Sequence, residues 1–162
     1  MKLSDSRLGD GSEAQVRRRH IDVLLRKYAE SHLHPVNEMI HCICVPAIVF
    51  SFLGLIWSAH PLAACAAVMT SLIYYVFLST RLALGMLLMS AMMLLLLQLL
   101  QQMQLISVWK ISLLVFVVAW IGQFIGHKIE GKKPSFFEDV RFLLVGPLFV
   151  LGFLYRRLNL KF

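Results

Sequence analysis

Carboxylates are scarce in this chain, with nine Asp and Glu against sixteen Lys and Arg, and none of the nine lies within its long apolar runs. Apart from His41 at one edge, the polar groups inside those runs are Ser, Thr, Gln and a single lysine, Lys110. Proton and ion pathways across a bilayer ordinarily rest on intramembrane carboxylates or histidines, so a transporter or channel is disfavoured. Cysteine is sparse too. Cys42, Cys44 and Cys65 sit in apolar sequence, and the i, i+2 spacing of the first two points them to different sides of a helix. That argues for packing and against a disulfide or a zinc knuckle. No apolar leader opens the chain either: 1–11 is polar. The expectation is a disordered tail over 1–11 and a first span that serves as its own insertion signal.

Apolar sequence is abundant instead. The 162 residues are 59% hydrophobic with a mean hydropathy of +0.73, and the uncharged runs are longer than soluble cores use. Four of them, at about 41–58, 62–78, 82–100 and 105–126, reach the roughly 17 to 25 residues that cross a bilayer as helix. The sequence therefore predicts an all-α integral membrane helical bundle, with 12–162 forming one membrane domain. The Met- and Leu-rich stretch 86–100 reads as lipid-facing or core filler, with Gln98 a candidate hydrogen-bonder between helices.

Lys and Arg are retained on the cytoplasmic side of a membrane. Arg17, Arg18, Arg19, Arg26 and Lys27 precede the first span, Arg81 marks the second turn, and Lys128, Lys132 and Lys133 follow the fourth span. The turns at 59–61 and 101–104 carry no cation. Both ends of the bundle are thus expected inside. Lys110 is discordant, about a turn and a half into the fourth span, where its stem can snorkel outward. Residues 12–30 place Val16, Val23, Leu24 and Tyr28 at helical spacing among cations, as an amphipathic helix on an anionic leaflet does. The formal net charge of +7 is explained by that surface role, and nucleic-acid binding is not expected. A fifth apolar stretch, 142–155, is short and carries Gly146-Pro147 at its centre. It reads as a re-entrant or interfacial helical hairpin, with a tilted fifth span as the alternative.

Histidines gather at one end of this bundle. Pro35 suits a first helical turn with His34 at the cap, which puts Asn37 and His41 at i+3 and i+7 on one face. His127 ends the fourth span on the same side, and His32 lies just ahead of the first helix. His60 belongs to the opposite turn and His20 to the surface segment, outside the group. Imidazole suits Fe, Zn, Cu and Ni, and three protein ligands leave positions for substrate and oxygen or water. A carboxylate often completes a non-haem iron set, which makes Glu130, one turn after His127, a candidate ligand beside His34. The competing interpretation is that interfacial histidines only cap helices. Gly122 and Gly126 form a small-xxx-small pair that lets another helix approach at the level of His127.

Together these motifs resemble a known family. They are Tyr28, Ser31-His32-Leu33-His34-Pro35-Val36-Asn37, Ile40-His41, Val45-Pro46, Trp120-Ile121-Gly122-Gln123-Phe124-Ile125-Gly126-His127, Glu130 and Lys133-Pro134. The family is that of small membrane proteins related to the fungal iron(II)-dependent 2-hydroxy fatty acid dioxygenase of alpha-oxidation, and the likeness spans about 28–155. The resemblance implies that His32, His41 and His127 hold Fe(II). It further implies that a 2-hydroxy fatty acid and O2 give the acid one carbon shorter and CO2. Lys132, Lys133, Arg141 and Asn37 are then candidates for attracting the substrate carboxylate, although the cations serve equally as membrane anchors. The alternatives are another histidine-metal membrane lipid enzyme, a hydroxylase or zinc hydrolase, built on the same histidines, or a non-enzymatic membrane scaffold or transporter. The oligomeric state is not legible. Lacking a retention tail, the short chain is expected in a bacterial inner membrane rather than the endoplasmic reticulum.

Overall fold

The computed structural model describes residues 34–131 and 145–157. Every element among them is a helix: α1 (Pro35–Ala59), α2 (Pro61–Leu78), α3 (Thr80–Met103), α4 (Val108–Glu130) and α5 (Gly146–Arg157). The tail at 1–11 and the amphipathic segment at 12–30 lie outside the described residues.

The first four helices have 25, 18, 24 and 23 residues and are long and apolar enough to cross a membrane. They alternate direction through very short links. His60 alone separates α1 from α2 and Ser79 alone separates α2 from α3. His34 and His60 start their helices by the same device: Pro follows at the first helical position, and the imidazole Nδ1 accepts from the backbone N–H of Val36 or Leu62, each at 3.2 Å. Proline fits there because its missing N–H would have had no partner in the first turn. Pro46 stands inside α1, where neighbouring helices can shield the freed carbonyl as they do in membrane bundles.

Large apolar side chains cover the outside. Leu62, Met69, Ile73, Val76 and Phe77 of α2 and Leu84, Leu88, Met92 and Leu95 of α3 are exposed. A helix apolar on its outer face as well as its inner one belongs in hydrocarbon, and the protein is an integral membrane protein. Inside, Leu53, Trp57, Ala64, Leu72, Leu82, Met86 and Leu97 pack together with Leu148 and Phe149 of α5.

Three expectations need correction. The hydrogen bond from the Trp57 indole goes to Gln101 Oε1, linking α1 to α3, while Gln98 is exposed. The 24-residue α3 carries Gln101 in its last turn, beyond the span drawn from hydropathy. Lys110 lies in the first turn of α4 rather than deeper, with its ammonium 5.7 Å from the Trp109 ring centroid. Finally, Gly146-Pro147 opens α5 instead of breaking an apolar segment, since the first turn tolerates proline. This helix packs on α3 and α1, where Gly85 makes room for Leu151 and Tyr155, and Tyr155 Oη donates to the Arg81 carbonyl at 3.2 Å.

Candidate active site

The most extensive helix interface joins α1 to α4. Small residues set its antiparallel register. A Cβ on Gly54 would collide with Ser112, one on Gly122 would come within 2.6 Å of Cys44 Sγ, and one on Gly126 would collide with Asn37 and press on Ile40. The glycine pair in α4 thus meets α1, as its spacing predicts, and Cys44 is a packing residue there.

At the mouth of this seam the last turn of α4 caps the first turn of α1. Glu130 Oε2 accepts from the backbone N–H of His34 at 2.9 Å and from Asn37 Nδ2 at 3.1 Å. One carboxylate oxygen thereby satisfies an orphan helix-start donor and a fully buried amide. Because an ionised carboxylate only accepts, the contact fixes which end of the Asn37 amide faces it. Its Oδ1 is turned away, buried close to Gly126 with no hydrogen-bond partner among the described residues. Gly131 ends α4 with φ of 75°, a left-handed cap open to glycine without strain.

One turn into the bundle from Asn37 stands His41, 1% exposed, and one turn before Glu130 stands His127, 6% exposed. Their rings meet edge to face, with centroids 5.1 Å apart and planes at 90°. Burial of an imidazole among apolar helices costs free energy that packing alone does not require, since Leu would fill either place. Two such rings in contact across a seam make it the candidate site.

The seam therefore unites His41, His127, Asn37, Glu130 and His34, while His60 is at the opposite end of α1, as expected. The two groups offered as extra ligands are differently employed. His34 Nδ1 caps its own helix, and Glu130 Oε2 binds His34 and Asn37. Among the described residues, no three His, Cys, Asp or Glu side chains are grouped to hold one metal ion. Asn37, offered as a carboxylate-binding residue, has its amide beside a carboxylate of the protein itself. His32, Lys132, Lys133 and Arg141 lie outside the described residues.

Gln123, one turn deeper than His127 on the same buried stripe of α4, did not emerge from sequence reasoning as a site residue. It is 2% exposed, and its Oε1 has no hydrogen-bond partner among the described residues. The signal that marks it is an amide in an otherwise apolar run.

Comparison with known proteins matches residues 19–158 to the family described as Mpo1-like, 2-hydroxy-palmitic acid dioxygenase Mpo1-like. The chain is also 33% identical over 137 residues to the 2-hydroxy-palmitic acid dioxygenase MPO1 of Saccharomyces cerevisiae, covering 76% of this chain and 73% of the yeast protein. No solved structure matches.

Proposed function

Since the chain belongs to the Mpo1-like family, we propose that it is a membrane-embedded, Fe(II)-dependent dioxygenase of 2-hydroxy fatty acids. The reaction converts the acid and O2 to the fatty acid one carbon shorter, CO2 and water. Four electrons leave the substrate, one from the carboxyl carbon and three from the hydroxyl-bearing carbon, and O2 accepts all four. The observation that carries this reading is the buried His41–His127 pair on the α1–α4 seam.

These two residues fit a non-haem iron site. Imidazole is a ligand suited to Fe(II), and the pair stands on two facing helices whose register Gly122 and Gly126 hold. His32 is the third ligand in this reading, two positions ahead of a backbone N–H anchored to Glu130. Bound there, Fe(II) would supply the redox chemistry that lets dioxygen react with a closed-shell acid.

The protein's own groups do the rest. Glu130 holds the two helix ends together, so the imidazoles need no rearrangement when substrate arrives. Lys132, Lys133 and Arg141 draw the carboxylate to the mouth. Apolar side chains of the bundle accept the acyl tail and limit water near the reacting carbon. In this reading the mouth and the N-terminus face the cytoplasm, which the positive-inside tendency of Lys and Arg supports.

The test uses detergent-purified protein loaded anaerobically with Fe(II), then given 2-hydroxypalmitic acid and O2. Pentadecanoic acid and CO2 in equal amounts are the expected products. Stoichiometric iron without either product would overturn the reaction while keeping the metal site, and no iron at all would overturn both.

A further inference from the structure

Gln123 is buried to 2% exposure with an Oε1 that finds no donor among the described residues. Leaving such an acceptor unsatisfied inside an apolar bundle is unfavourable, and native structures keep few of them. A leucine there would avoid the penalty. The amide is therefore matched to something besides protein packing.

Its position narrows the choice. On α4 the residues that face inward include Ala119, Trp120, Gln123, Gly126 and His127, and Gln123 precedes His127 by one turn. Glu130, one turn beyond His127, marks the mouth where α1 begins. Gln123 thus lies on the interior side of the histidine pair. A second acceptor without a partner, Asn37 Oδ1, stands on the mouth side. It is pressed so closely toward Gly126 that not even a methyl group fits between them. A ligand hydroxyl has no room there, and Ser112 Oγ, another buried atom without a partner among the described residues, stands near the opposite end of α4, far from the histidine pair, which leaves Gln123.

We propose that Gln123 recognises the 2-hydroxyl group of the acid, its Oε1 accepting the hydroxyl hydrogen. The inference rests on the dioxygenase reading above and names the residue that gives it specificity. With the carboxylate drawn in as far as the histidine pair and the tail running on among the spans, the hydroxyl-bearing carbon lies on the interior side of that pair, one turn along α4, where Gln123 stands. A carbonyl oxygen accepts hydrogen bonds and does not donate. It pairs with a hydroxyl, finds no donor on the methylene of an ordinary fatty acid, and repels the oxygen of a 2-oxo acid. Sites built around a polar partner reject analogues that lack it, because the buried group is then left unpaired.

Binding of 2-hydroxypalmitic, palmitic and 2-oxopalmitic acids to the purified full-length protein, measured without oxygen so that no turnover intervenes, tests this. Wild-type protein is expected to favour the 2-hydroxy acid over both others by roughly tenfold or more, in line with a hydrogen bond to a buried group. Gln123→Leu should bind palmitic acid unchanged and lose that preference. Gln123→Met, closer in length, gives the same comparison if the leucine variant fails to fold. A preference kept by the folded variants would overturn the role of Gln123 while leaving the dioxygenase reading intact. Equal binding of the 2-oxo and 2-hydroxy acids would overturn it as well. Wild-type protein indifferent to the 2-hydroxyl would count against the functional reading itself, and the role of Gln123 would fall with it.

Discussion

Asn37 donates from Nδ2 to Glu130 Oε2 at 3.1 Å, fastening the first turn of α1 to the last turn of α4. Four residues further along α1 is His41, and three residues earlier on α4 is His127. The clasp and the histidine pair are therefore successive layers of one interface.

Replacing Glu130 separates a clasp from a ligand. Glu130→Ala leaves the fully buried Asn37 amide and the His34 N–H without their acceptor, a loss of about 2 kcal/mol for hydrogen bonds to a charged group. The expected outcome is a lower unfolding midpoint in detergent with iron still bound in stoichiometric amount. Glu130→Gln, which keeps one acceptor oxygen, should fall between the two. Iron lost from a folded Glu130→Ala protein would instead make the carboxylate a ligand.

Truncating either histidine acts on chemistry first. His41→Ala and His127→Ala are expected to reduce turnover to background and to lose bound iron, with helix content by circular dichroism preserved. His60→Ala removes a cap at the far end of α1 and should leave activity near wild type, at a stability cost of about 1 kcal/mol. Full activity in His41→Ala would remove the histidine pair from the mechanism.

Metal exchange distinguishes redox chemistry from Lewis-acid chemistry. Chelator treatment should abolish turnover, and Fe(II) should restore it where Zn(II) does not, because zinc binds imidazole well but has no accessible redox change. Restoration by Zn(II) would point to a hydrolase built on the same histidines.

What the sequence made legible was whatever a single helix determines. Uncharged runs identify the four long helices, the His-Pro pairs locate two helix starts, and the Gly122–Gly126 spacing marks the face that meets α1. Relationships between helices were harder to read. Glu130 looks like a ligand in sequence because it lies one turn from His127, yet its acceptor role depends on two donors more than ninety positions away. Gln98 and Gln101 are equally polar in sequence, and only the rotation of α3 decides that the second reaches Trp57. The start of α5 was obscured because a Gly-Pro pair reads equally as a break and as a first turn.

The two seam glycines are not equivalent, although their sequence pattern treats them alike. At Gly122 an added Cβ meets Cys44 Sγ at 2.6 Å, and a half-buried, free thiol can rotate aside. At Gly126 the obstacle is the Asn37 side chain, which is fully buried and held by Glu130. Gly126→Ala must either break that hydrogen bond or spread the helices, at a cost of about 1–3 kcal/mol for overpacking. Gly122→Ala should cost under about 1 kcal/mol, and adding Cys44→Ala should recover most of that, a coupling that a double-mutant cycle measures. Because the strain at Gly126 enters next to His127, Gly126→Ala should also weaken iron retention where Gly122→Ala does not. Equal losses of stability and iron in the two variants would mean that Asn37 yields as readily as a thiol, and that no strain from Gly126 reaches the histidines.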